Sequence, residues 1–394
     1  MSSFDVARAR TQTPGVRHVV HFNNAGAALM PDCVVQAQLA HLELEAQIGG
    51  YEAHAREQSR VDAVYDSVAK LIGARREEIA IVENATVGWD MAFYAFQFQP
   101  GDRILTAQSE YGANFIAYLQ VAKHRGVSIE IIPNDAAGAT CAAALAKMID
   151  DRVKLISITH VPTNGGLVNP AAEIGAVARQ HGIPFLLDAC QSTGQLDLNV
   201  DELGCDLLSA TGRKFLRGPR GVGFLYVRTA LLDSLEPPIL DHHAANWVAT
   251  DRYEMRADAR RFENWEFNYA AKLGLGTAVD YALDWGMKNI ETRVVALGQQ
   301  LREQLNSLSD VKTYDLGHTP CGIVTFTIAG LAPESIKQSL SAEAFNVSAS
   351  SPASTLIDAD VRSLPDLVRA SVHYYNDENE IDKFVAAVAS LTRR

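Results

Sequence analysis

A lysine stands in the run Ser209-Ala210-Thr211-Gly212-Arg213-Lys214-Phe215-Leu216-Arg217-Gly218-Pro219-Arg220-Gly221, just past an apolar stretch and before a glycine-bounded turn. Lys214 alone reads equally as a surface residue. With Thr211 and Arg213 beside it, it has the setting of an amine that holds an aldehyde cofactor as a Schiff base, next to a hydroxyl and a cation suited to a phosphate. Asp188 ends the apolar run Phe185-Leu186-Leu187, where a carboxylate is costly without a partner. A protonated pyridine nitrogen is one such partner, and a helix start is the plainer one. Gln191, three residues on, would hydrogen-bond a phenolic oxygen. Thr86, after Asn84-Ala85, opens a helix whose amides and dipole suit either a phosphate or a simple cap. Together these types describe pyridoxal phosphate, which needs an amine, an acidic partner for its ring nitrogen and a phosphate cradle.

Such residues must be carried to one place by the elements between them. Apolar runs alternate with helical patterns, which predicts an α/β fold. Strands are expected at Glu78–Val82, 103–106, 128–132, 155–160, 183–187, 205–210 and 222–227, and helices at 61–73, from Asn84 to about Phe98, 114–125 and 171–181. The last three strand runs are apolar throughout, as strands buried on both faces are. Ligands of such sheets sit beyond the carboxyl ends of the strands, where Asp188, Thr211 and Lys214 all fall. From about Trp285 the pattern changes to a long amphipathic helix (290–308), a strand (322–328), a helix near 334–341 and a final helix near 377–391, an α+β unit. At 394 residues the chain exceeds the roughly 250–300 residues of a single core, so two domains are expected.

The formal net charge of −12 argues against a nucleic-acid footprint. No apolar run approaches the roughly 20 residues of a membrane span, and the first residues lack the apolar stretch of a signal peptide, so a soluble cytoplasmic protein is expected. Five cysteines without a Cys-x-x-Cys spacing make neither a disulfide framework nor a zinc site, and most are expected as small core residues.

The motifs Phe22-Asn23-Asn24-Ala25-Gly26, His160-Val161-Pro162-Thr163-Asn164, Asp188-Ala189-Cys190-Gln191, the Lys214 segment, Gly223-Phe224-Leu225-Tyr226-Val227 and Arg369-Ala370-Ser371 resemble the class V aminotransferase family of fold-type I pyridoxal phosphate enzymes. That group includes cysteine desulfurases, isopenicillin N epimerase and hercynylcysteine sulfoxide lyase. The resemblance implies a large domain with a mostly parallel seven-stranded sheet at 19–283, a smaller C-terminal α+β domain at 284–394, an N-terminal arm at 1–18 packing on that smaller domain, and a homodimer with the site at the subunit interface. It implies an aldimine on Lys214, which would also shuttle protons. Asp188 would sit on the ring nitrogen, Gln191 on the phenolic oxygen, and Ala85, Thr86, Thr211 and Arg213 at the phosphate. Tyr111 would stack on the ring, with or without donating a proton to a leaving group. Asn164 would lie near the cofactor. Arg369 would clamp a substrate α-carboxylate, with Asn24 and His243 as further substrate contacts.

The loop 347–355, Val-Ser-Ala-Ser-Ser-Pro-Ala-Ser-Thr, lacks the nucleophilic cysteine of the desulfurases. A C–S β-elimination lyase resembling the hercynylcysteine sulfoxide group is therefore expected, rather than a standard cysteine desulfurase. A class V aminotransferase is the alternative and an amino-acid epimerase the third reading. The segment 241–247 reads as substrate recognition or an interfacial loop, its His242-His243 pair without a metal. Arg252, Arg256 and Arg260, four apart, read as one helical stripe, either solvated and ion-paired or clamping an acidic substrate.

Overall fold

The computed structural model describes residues 4–392. Its centre is a seven-stranded sheet of β1 (Ile79–Val82), β2 (Arg103–Ala107), β3 (Ser128–Ile132), β4 (Val153–Thr159), β5 (Phe185–Asp188), β6 (Leu207–Thr211) and β7 (Gly223–Val227). Their spatial order is β1-β7-β6-β5-β4-β2-β3. The strands are parallel except β7, which runs antiparallel to both its neighbours. β1, β2, β5, β6 and β7 are buried along their whole length, as strands rich in apolar side chains and covered on both faces are. Each fully buried Leu, Ile or Phe contributes about 1.5–3 kcal/mol on removal from water.

Helices cover both faces. Gly50–Ile72 buries Val61, Val64, Tyr65, Val68, Leu71 and Ile72 at three- and four-residue intervals and stops at Gly73, whose φ of 67° suits glycine. Helix 171–181 takes its expected bounds. Helix Ala85–Phe93 stops short of Phe98. Helices Asp32–Ile48 and Tyr269–Trp285 have no counterpart among the expected elements. The second is buried nearly all round, so it lacks the one-sided pattern by which a helix is read.

The C-terminal part forms a four-stranded antiparallel sheet of β8 (Val311–Thr313), β9 (Ile323–Ile328), β10 (Ser348–Ser350) and β11 (Leu367–Ser371), in the order β8-β9-β11-β10. Helices Met287–Asn306, Pro333–Ala342 and Glu378–Leu391 accompany it. It is the smaller α+β unit. Two of its strands have no counterpart among the expected elements: β10 lies in the serine-rich run, and β11 carries Arg369. Residues 1–3 of the expected arm and 393–394 of the expected C-terminal domain lie outside the described residues. Within the arm, helix Val6–Thr11 sends Arg8 to Asp284 at 2.6 Å and Arg10 to Glu380 at 2.8 Å.

The arginine stripe is not helical. Ala245–Ala249 and Arg252–Met255 pair as an antiparallel hairpin, and Arg256 and Arg260 both bond Asp258. The four-residue spacing coincided with a strand and a short turn of 3₁₀ helix, where it places no common face. The cysteines also differ from expectation. Cys205 and Cys321 are buried, Cys141 and Cys190 are half-buried, Cys33 is exposed, and all five are free.

Candidate functional site

Parallel strands bring their carboxyl ends side by side, so residues far apart in sequence meet there. A cavity of about 340 Å³ at this edge is lined by Ala85 and Thr86, by Tyr111, by Asp188, Cys190 and Gln191 beyond β5, and by Thr211, Arg213 and Lys214 beyond β6. A second cavity of about 510 Å³ shares Tyr111, Thr163, Gln191, Arg213 and Lys214 with it and extends to Ser348, Ser350 and Arg369. A larger groove of about 690 Å³ lies among the opposite strand ends, at Asp102, Val153 and Ile183, and holds none of the expected site residues.

The Asn84 side chain accepts a hydrogen bond from the Val87 amide at 3.0 Å and starts helix Ala85–Phe93 at the cavity wall. The remaining first-turn amides have no partner within the helix, an arrangement that favours an anion. Asp188 is 5% exposed and accepts from Asn114 Nδ2 and the Cys190 amide, both at 2.9 Å. Burial above all lowers the Lys214 pKa, and the nearby Arg213 and Arg369 push the same way, against the opposite pull of Asp188. Arg213 donates to the Gly26 carbonyl, fixing its guanidinium between the two cavities.

Arg369 is buried on β11. It donates to the Thr163 hydroxyl and carbonyl, while its Nε has no partner. Burial, reinforced by Arg213, pulls its pKa to about 10. Gln191 donates to the Ala25 carbonyl at 3.1 Å and leaves Oε1 unpartnered. Cys190 lines the first cavity, where burial and Asp188 hold its thiol well above the usual range.

Three expected site residues stand elsewhere. Asn24 is fully buried: its Nδ2 donates to the His21 and Ser371 carbonyls, and its Oδ1 accepts from the Tyr375 hydroxyl. Asn164 lines neither cavity; it holds the serine-rich segment through Ser350, Ser351 and Thr355. His243 meets the buried Glu263 at 3.0 Å and also lines neither cavity. Sequence reasoning also missed Glu110 and Asn114. Glu110 is 3% exposed, and burial, with Asp188 nearby, pushes its pKa up to about 7 against the donors around it. The strand-end rule that singled out Asp188 applies equally to Glu110, three residues past β2.

The residues present fit pyridoxal phosphate. A buried amine, a carboxylate at the far wall, a helix start and unpartnered polar atoms on Gln191 and Arg369 converge on two connected spaces.

Comparison with known proteins agrees. The model of the family "Aminotransferase class-V" matches residues 20–384. The chain is similar to a probable cysteine desulfurase of Methanothermobacter thermautotrophicus, 27% identical over 379 residues and 94% of each chain. Among solved structures it resembles the apo cysteine desulfurase of Thermococcus onnurineus NA1, with a TM-score of 0.89, 27% identity and full coverage of both chains. It also resembles a mutant of C-DES with glycine covalently linked to its PLP cofactor, with a TM-score of 0.87, 26% identity and 96% and 98% coverage. The likenesses to cysteine desulfurases overturn the expectation of a lyase set apart from them. Eight relatives, each matched over 94% or more of this chain, are described as cysteine desulfurases or probable ones. The cysteine-free loop is one short segment, whereas the similarity runs along the whole chain.

Proposed function

The chain belongs to the class V aminotransferase family and is a pyridoxal-phosphate-dependent enzyme of fold type I, and on that premise we propose that it transfers the amino group of a small-molecule amino acid. The observation that carries this reading is the position of Lys214. It lines both cavities, between the Asp188 wall of one and the Arg369 wall of the other.

Bound in the first cavity, pyridoxal phosphate supplies a sink for the electrons left when a bond to the substrate α-carbon breaks. Asp188 would hold a proton on the ring nitrogen, Ala85, Thr86, Thr211 and Arg213 would hold the phosphate, Gln191 would face the phenolic oxygen, and Tyr111 would cover the ring. Arg369 takes the α-carboxylate in two parallel hydrogen bonds, which orients the α-hydrogen toward Lys214. Lys214, its pKa lowered by burial, has a neutral fraction able to take that proton and return it, all that amino transfer asks of a base.

Mixing the loaded enzyme with a panel of amino donors and then with α-keto acids tests this. Donors should bleach the visible band and yield their keto acids, and a keto acid should restore it. Donors consumed with release of free ammonia, and no amino group passed on, would sink the reading. Lys214→Ala should lose the band and at least about 10³-fold of the rate.

Removal of sulfur from cysteine is the second reading, favoured by what the relatives are said to be. Alanine formed from cysteine, its sulfur carried off as sulfide by an added dithiol that is oxidised to its disulfide, without bleaching by other donors, would put it first.

A second copy of the chain is the partner we propose for the exposed aromatic side chains. Tyr51, Trp247, Tyr253 and Trp265 are exposed by 77%, 71%, 47% and 56%. The groove at Tyr51 shares Gly221 with the cofactor cavity. Among the described residues no helix is long and apolar enough to cross a membrane. Five free thiols support a reducing compartment such as the cytoplasm.

A further inference from the structure

We propose that Glu110 is a positioning residue for the cofactor ring, acting on Asp188 through the Asn114 amide and on Tyr111 through its backbone. This rests on the use of pyridoxal phosphate and is independent of which reaction follows.

Five donors converge on this one carboxylate. Oε1 accepts from the Tyr111 amide and Asn114 Nδ2, both at 2.9 Å, and from the Thr159 hydroxyl. Oε2 accepts from the Thr106 hydroxyl at 3.0 Å and the Thr159 amide at 3.1 Å. The donors come from β2, from β4 and from the start of helix Gly112–Arg125. Glu110 thus ties two strand ends to the segment bearing Tyr111. No arginine, lysine or histidine is among the donors.

The link to Asp188 is a matter of amide chemistry. Asn114 Nδ2 has two hydrogens and gives them to two carboxylates, Glu110 Oε1 and Asp188 Oδ2, each at 2.9 Å. An amide turned the other way would present its oxygen to both. Glu110 therefore fixes the orientation that gives Asp188 a donor. Tyr111 and Asp188 both line the cofactor cavity, so one buried carboxylate sets the residue that covers the ring and the residue that meets its nitrogen. Glutamine at 110 keeps the size but turns one acceptor into a donor, facing donors already in place.

The test compares wild type with Glu110→Gln, Asn114→Ala and the double variant in three measurements. These are affinity of the apoprotein for pyridoxal phosphate, the pH midpoint of the visible band without substrate, and melting temperature. Each single variant should weaken cofactor binding by about tenfold or more, as loss of a hydrogen bond to a charged group does. Both should move the midpoint in the same direction, and the double variant should add little to the larger single effect. Wild-type affinity and midpoint in Glu110→Gln overturn the proposal, and so does a lower melting temperature with an unmoved midpoint. If Glu110→Gln does not fold, Asn114→Ala decides: an unmoved midpoint there overturns the proposal. A wild-type protein that takes up no cofactor overturns the cofactor reading and this one together, whereas normal wild-type uptake with unaffected variants overturns this one alone.

Discussion

Arg369 is held in an unusual state for a cation. It is buried, no ion pair to a carboxylate is found for it among the described residues, and the nearby Arg213 further disfavours its charge. With a pKa of about 10 it stays protonated at neutral pH, so the folded chain carries an uncompensated charge that an arriving carboxylate relieves. Arg369→Lys keeps a charge but loses the planar fork. It should raise KM for amino donors by about tenfold or more and change kcat less. For donors lacking the α-carboxylate the variant and wild type should perform alike; an unchanged KM for ordinary amino acids would remove Arg369 from substrate binding. Most residues around it were legible in sequence because their types are bound to position. Asp188, Thr211 and Lys214 stand just beyond apolar runs, and in a parallel sheet those places converge. Asn24, Asn164 and His243 line neither cavity, because polar residues beside a motif can bond neighbouring protein groups as readily as a ligand, and sequence does not show which way a side chain turns.

Elements place these residues by close approach, and glycine marks where approach is closest. Gly194 has a φ of 93°, and a Cβ there would lie 2.3 Å from the Leu216 nitrogen and the Phe215 carbonyl carbon. The turn after Gln191 is therefore pressed against the segment that follows Lys214. Gly194→Ala should cost about 1–3 kcal/mol of stability and push that segment, lowering cofactor affinity as well. Gly182, with a φ of 64° and nothing within 4 Å of its Cβ, is the comparison. Gly182→Ala should cost about 1 kcal/mol in backbone strain and leave cofactor affinity alone. Denaturant titrations with and without cofactor measure both; equal affinity in the two variants would show that the contact does not reach Lys214. The same limit governed the reading of elements. Strands buried on both faces were legible to within two or three residues, because their apolar runs are bounded. Helix Tyr269–Trp285 and strand β11 were not, since burial all round erases periodicity and a strand holding an arginine looks polar.

Across the whole molecule, the N-terminal segment, the lysine loop and the C-terminal chain are locked by buried polar groups. Arg217, 1% exposed, donates to Thr13 Oγ1 at 2.6 Å, the Leu29 carbonyl at 2.9 Å and Tyr374 Oη at 2.7 Å. His373 meets the Phe215 carbonyl at 2.7 Å, one residue from Lys214, and His21 meets the Ala27 carbonyl at 2.8 Å. Such a structure should be acid-sensitive through its histidines as well as its carboxylates. Burial lowers the pKa of His160 to about 4, of His373 well below the ordinary 6.5, and of His21 in the same direction. Below pH 6.5 the unfolded chain binds protons on these rings that the folded chain refuses, so stability falls as pH drops from 6.5, and for His160 the loss is complete only near pH 4. That residue alone is worth about 3 kcal/mol over this window. His160→Gln, which removes the titrating group, should flatten the fall in unfolding free energy between pH 6.5 and 4 relative to wild type, even if it is less stable at pH 7. A parallel fall in the two proteins would mean that His160 takes up its proton in the folded state as easily as in the unfolded one, and the histidine account of acid sensitivity would fail at that residue.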